Sequence, residues 1–113
     1  MTNYTRGRAV EYKVWADLEA DGYQVLRAAG SKGVADLIAL KPGEVLLVQV
    51  KAADPQLSPA ERKALLELAH LTGALPLVAY KPFRKPIIYR QLTGPGPKDW
   101  QPWHPDQIVT NTA

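Results

Sequence analysis

Gln49 and Lys51 stand two positions apart at the end of the apolar run Val45-Leu46-Leu47-Val48-Gln49-Val50-Lys51, and Asp36 lies upstream in Val34-Ala35-Asp36-Leu37-Ile38-Ala39. Strand side chains alternate between faces, so Val45, Leu47, Gln49 and Lys51 share one side. An amide and an amine are thereby brought together beside a core strand, where unpaired polar groups are costly. If the upstream run pairs with this strand, Asp36 joins them. A carboxylate, an amide oxygen and a lysine in one cleft suit a divalent metal and the hydrolysis of a phosphodiester. In that chemistry the metal lowers the pKa of a water, and Lys51 positions the nucleophile or stabilises charge on the phosphate.

Each of these groups also has a plainer reading. Asp36 could be a buried aspartate satisfied by backbone donors, and Gln49 could link neighbouring strands through its amide. Lys51 could be an ion-pair partner of Asp36, a contact that an active site would also contain.

The elements that must position these residues are legible from pattern. Arg6 to Ala20 reads as a helix ended by Asp21-Gly22, with Val14, Trp15 and Leu18 as its apolar stripe. Glu11 falls on that same stripe, so it is either a core-facing acid with a task or a partner for Arg8 or Arg27. Tyr23 to Arg27 is a short strand, and residues 28–33 form a small-residue loop. Val34 to Leu40 and Val45 to Lys51 are two strands joined by Lys41-Pro42-Gly43-Glu44, whose Pro-Gly centre favours a type II turn and antiparallel pairing.

Ser58-Pro59-Ala60-Glu61 opens a second helix with a capping box and proline at the first helical position. Ala64, Leu65, Leu68, Leu71 and Thr72 supply its stripe, and Gly73 ends it. Leu75 to Tyr80 and Ile87 to Gln91 are two more strands around the basic turn Lys81-Pro82-Phe83-Arg84-Lys85-Pro86. The fold class is therefore α/β, an α-β-β-β-α-β-β mixed sheet flanked by helices. Residues 1–92 read as the functional domain, and 93–113 as an irregular C-terminal tail whose Trp100 and Trp103 cover the core or a dimer seam. His70 reads as a packing or surface residue.

At 113 residues there is room for one small core. No apolar stretch approaches a membrane span, and the N-terminus lacks the apolar centre of a signal peptide. Without cysteine there is no disulfide framework or thiolate metal site, which fits an intracellular, cytoplasmic protein. The net charge of +3, from 14 basic and 11 acidic residues, is compatible with nucleic acid and equally with an ordinary solvated surface. If Glu11 and Asp36 hold a cation, the face around them is more basic than that sum. Arg6, Arg8, Lys32, Lys63, Arg84 and Lys85 are candidates for contacts to the DNA backbone.

Taken in order, Gly7-Arg8-Ala9-Val10-Glu11, Arg27 with Gly30-Ser31, Ala35-Asp36-Leu37-Ile38-Ala39 and Val48-Gln49-Val50-Lys51 resemble the archaeal-type Holliday junction resolvases. These belong to the restriction-endonuclease-like superfamily, whose signature is an acid followed by acid-x-lysine. The resemblance runs from Gly7 to about Tyr80. It implies that Glu11 and Asp36 bind metal, that Lys51 is the catalytic lysine, and that Ser31 and Arg27 lie close to the scissile phosphate. It further implies Mg²⁺, with Mn²⁺ as a substitute, and a two-fold homodimer that cuts paired strands of a four-way junction. Position 49 departs, since the family's acid is here a glutamine. Its carbonyl can ligate a hard cation but brings no charge, and the Val50 carbonyl is a candidate further ligand. Glu44 is a poor replacement, because alternation puts it on the opposite face. Two other functions stay open: a nuclease of the same fold acting on flapped, nicked or duplex DNA, and a catalytically silent DNA-binding module.

Overall fold

Alternation and turn chemistry do set the central hairpin. In a computed structural model, which describes residues 3–28 and 34–105 with side chains from residue 7 onward, the chain forms α1 (Asn3–Ala20), β1 (Gln24–Arg27), β2 (Leu37–Lys41), β3 (Glu44–Lys51), α2 (Pro59–Thr72), β4 (Leu75–Tyr80), β5 (Ile88–Leu92) and β6 (Trp100–Trp103). Pro42 and Gly43 link β2 to β3, and Gly43 takes the positive φ of 75° that a type II turn requires. The strands lie side by side in chain order in one six-stranded sheet. Only β3 and β4 pair in parallel; the other neighbours are antiparallel. A parallel pair needs a crossover, and α2 supplies it.

Ser58 caps α2 as its sequence promises. Its hydroxyl accepts from the Glu61 N–H, the Glu61 carboxylate accepts from the Ser58 N–H, and Gly73 closes the helix in the left-handed region. The two helices cover opposite faces of the sheet. Val10, Val14 and Leu18 of α1 pack on Leu37, Ala39, Leu46, Val48, Leu77 and Tyr89. Leu65 and Ala69 of α2 pack on Leu47 and Val78. Burying a leucine such as Leu18, Leu46 or Leu65, each at most 1% exposed, is worth roughly 1.5–3 kcal/mol. The strand that ends in Gln49 and Lys51 is therefore packed on both faces.

Two expectations need correction. The segment from Thr93 is not irregular throughout: residues 100–103 form β6 on the outer edge of β5, and Trp103 meets Tyr89 edge-on at 5.2 Å. The inward stripe of α2 is Arg62, Leu65 and Ala69, with Leu66 and Leu68 partly covered, whereas Leu71 points out and is 81% exposed. Arg62 takes a core position because its guanidinium is satisfied by main-chain carbonyls, donating to Leu57 O at 2.6 Å and to Pro95 O at 3.0 Å. It thereby ties the segment after β5 to α2.

Candidate active site at the open end of the central strands

Antiparallel pairing brings the start of β2 to the end of β3 and to the end of β1. Asp36, Gln49, Lys51 and Arg27 thus gather at one end of the sheet. The Asp36 N–H donates to Val48 O and the Ala28 N–H donates to Asp36 O, both at 2.9 Å, so the aspartate backbone is clamped from two sides. Its Oδ2 accepts from the Val50 N–H at 2.7 Å. Val50 therefore contributes its amide N–H to the carboxylate, whereas the group expected as a further ligand is its carbonyl. Burial raises the Asp36 pKa above its ordinary value; the Val50 N–H opposes the rise, the charge of Glu11 adds to it, and Lys51 and Arg27 oppose it.

Gln49 is buried on the face covered by α2, as the alternation requires, and lies in register with Val78 of β4. Lys51 follows on the same face. It does not bond to Asp36, however: its Nζ donates to Glu61 Oε2 at 3.0 Å. Glu61 uses its other oxygen, Oε1, for the Ser58 N–H at 2.8 Å. Those bonds, the Ser58 amide first, hold the Glu61 carboxyl below its ordinary pKa. A capping residue of α2 is thus also the counter-ion of the strand lysine. Sequence reasoning found the capping box but not this second task. The available signal was that α2 must cover the face carrying Lys51.

Glu11 lies on α1 and is paired with Arg27, Nε and a terminal nitrogen meeting Oε1 at 2.9 and 2.6 Å. Both side chains keep some exposure, so this pair adds little stability. Its consequence is placement, since Arg27 is held between the helix and the strand ends. Ser31 and Lys32 lie outside the described residues, as does the Arg6 side chain. Arg8 is half-buried on α1, and Lys63 is exposed on α2, across the sheet from it. Arg84 and Lys85 are exposed in the turn after β4, which stands at the same end of the sheet as Lys51 because β3 and β4 run in parallel.

Among the described residues no three His, Cys, Asp or Glu side chains are grouped as a metal site. Position 49 bears on this, since it holds an amide where the acid-x-lysine resemblance implied a carboxylate. The donors present are hard oxygens: the Asp36 and Glu11 carboxylates and the Gln49 amide. They fit a hard divalent cation, because burial and the Glu11 charge both strain ionised Asp36 and a cation would relieve both.

A protein-family model described as archaeal Holliday junction resolvase (Hjc) matches residues 2–112. The chain belongs to the archaeal Holliday junction resolvase family. Among curated relatives, the crossover junction endodeoxyribonuclease Hjc of Methanocaldococcus jannaschii is 35% identical over 81 residues, covering 69% of this chain and 60% of that protein. The chain thus spans less than two thirds of that relative's length. The 1.6 Å structure of Archaeoglobus fulgidus Hjc, a Holliday junction resolvase from an archaeal hyperthermophile, superposes with a TM-score of 0.65 at 26% identity. It covers 74% of this chain and 70% of that one. This member of the resolvase family thus has the restriction-endonuclease-like fold, with a six-stranded mixed sheet between two helices. No helix among the described residues is long and apolar enough to cross a membrane.

Proposed function

We propose that this chain is a divalent-metal-dependent endodeoxyribonuclease that resolves four-way DNA junctions as a two-fold homodimer. The observation that carries the reading is the Asp36 carboxylate, held at 2.7 Å by the Val50 N–H between Gln49 and Lys51 at a strand end, in a chain of the resolvase family. Asp36, Gln49 and Glu11 would hold a Mg²⁺ or Mn²⁺ ion, which when bound supplies Lewis acidity at a phosphate and a water of lowered pKa. Asp36 provides the fixed negative charge, and Gln49 an uncharged oxygen. Lys51, its ammonium steadied by Glu61, sits where charge develops on the phosphate. Arg27 and Ser31 hold the neighbouring phosphate, while Arg6, Arg8, Lys32, Lys63, Arg84 and Lys85 fix register on the backbone without reading bases. A junction offers two equivalent strands, and one subunit offers one site, so isologous pairing supplies the second.

Gln49 favours one rival, a DNA-binding module without catalysis. The deciding experiment compares a labelled four-way junction with a linear duplex of the same sequence, with Mg²⁺ and with chelator. Symmetric cuts in the junction alone, lost with chelator, are expected. Equal cutting of the duplex would make the protein a general nuclease; binding without cutting in Mg²⁺ or Mn²⁺ would make it a silent module.

A further inference from the structure

Beside the candidate active site, three cations from α1 and from the turn between β4 and β5 converge on a cleft of about 680 Å³. Lys13 comes from α1, two residues beyond Glu11; Lys81 follows β4 directly; Arg84 belongs to the turn leading to β5. The floor includes Ala52 and Ala53, the residues immediately after Lys51. The Lys81 N–H donates to Ala52 O at 3.3 Å, so the wall of the cleft and the end of the lysine strand are fastened together. Among the described residues, none that lines the cleft is acidic.

Phe83, the chain's one phenylalanine, stands in this cleft's wall and is 83% exposed. An aromatic ring so far in water contributes nothing to the core. Its neighbour Arg84 is the one non-glycine with positive φ, 61°, among the described residues. The Lys85 N–H to Pro82 O bond of 3.0 Å closes the turn around the two. A non-glycine residue in the left-handed region is strained, and such strain collects where side-chain placement matters. Here it sets the guanidinium carbon 5.1 Å from the Phe83 ring centroid.

The chemistry of this cleft is that of a nucleotide. Three cations suit phosphates, small apolar side chains admit a flat heterocycle, and an exposed ring offers a stacking face that any base can use. Bases inside a duplex are already stacked, whereas a branch point can release one. Resting on the junction-cleaving reading above, we propose that the cleft receives a nucleotide displaced from its stack at the branch point, its base on Phe83 and its phosphates on Lys13, Lys81 and Arg84. Phe83 then contributes to preference for branched over linear DNA, a task separate from the metal chemistry.

The test is photo-crosslinking of the full chain, in chelator, to a four-way junction carrying 5-iododeoxyuridine next to the cleaved phosphate, with adducts mapped by mass spectrometry. The junction should give an adduct on Phe83 and the matching linear duplex none. Phe83→Ala should remove the adduct and weaken junction binding about tenfold with duplex binding unchanged, and Phe83→Trp should restore both. A junction that wild type binds and, with Mg²⁺, cuts, but that gives no Phe83 adduct, would overturn this inference and leave the nuclease reading standing. Wild-type junction affinity in Phe83→Ala would do the same, as would dissociation of Phe83→Ala into monomers, which would make the ring part of a subunit seam. A wild-type chain that neither binds nor cuts the junction would overturn both.

Discussion

An amide at position 49 leaves Asp36 as the principal negative charge of the candidate site, with Glu11 engaged by Arg27. Gln49→Glu should therefore tighten divalent metal binding, about tenfold for an added anionic oxygen on a hard cation, measured by titration calorimetry with Mn²⁺. Unchanged or weaker binding would make Gln49 a strand-linking amide. Lys51 raises a different question, because its partner is the capping acid of α2. Glutamine also completes a capping box, so Glu61→Gln separates the two tasks. It should keep the helix while slowing junction cleavage about tenfold, ~1.4 kcal/mol of barrier, with junction affinity near wild type. Wild-type cleavage by Glu61→Gln would show that Lys51 needs no such support.

Elements are held to one another by a few polar contacts across the core. The Tyr89 hydroxyl donates to Asp17 Oδ2 at 2.6 Å, pinning β5 to α1. Burial first, and then Asp17, push the Tyr89 phenol far above its ordinary value of 10.0. The unfolded chain releases that proton near pH 10 and the folded chain does not, so above that pH the unfolded state binds fewer protons and stability falls as pH rises. Below about pH 10 the contribution is fully present. Tyr89→Phe should cost about 1–2 kcal/mol near neutral pH and flatten the alkaline loss, read from urea midpoints on either side of pH 10. A loss just as steep in Tyr89→Phe would assign it to other groups. The hairpin and α2 were legible because Pro42-Gly43 and Ser58-Pro59-Ala60-Glu61 carry their geometry locally. β6 was not: Trp100-Gln101-Pro102-Trp103 has no strand pattern, and Pro102 is tolerated only because the strand is an edge. Its position is set by Tyr89 and Trp103 meeting in space. The placement of the strand-end residues was legible, since alternation puts Gln49 and Lys51 on one face and the β2–β3 pairing brings Asp36 to the same end. The Lys51–Glu61 bond depends on the path of residues 52–58, which no periodicity records.

At the scale of the whole molecule, the proposed dimer needs an apolar seam. Leu71, 81% exposed on α2, is the most exposed leucine of the described core elements and is the natural candidate for it. Leu71→Glu should shift the protein toward monomers by light scattering and turn paired cuts in a plasmid-borne cruciform into single nicks. Unaltered mass with paired cutting would put the seam elsewhere. The central claim concerns Asp36, and one variant tests it most directly. Asparagine preserves an acceptor for the Val50 N–H and removes a charge strained by burial and by Glu11. In metal-free buffer Asp36→Asn should therefore be at least as stable as wild type. The decisive measurement is junction cleavage by this folded variant in Mg²⁺, beside its binding of the same junction. Loss of cutting with binding retained is the predicted result; cutting at the wild-type rate would contradict the assignment of this site.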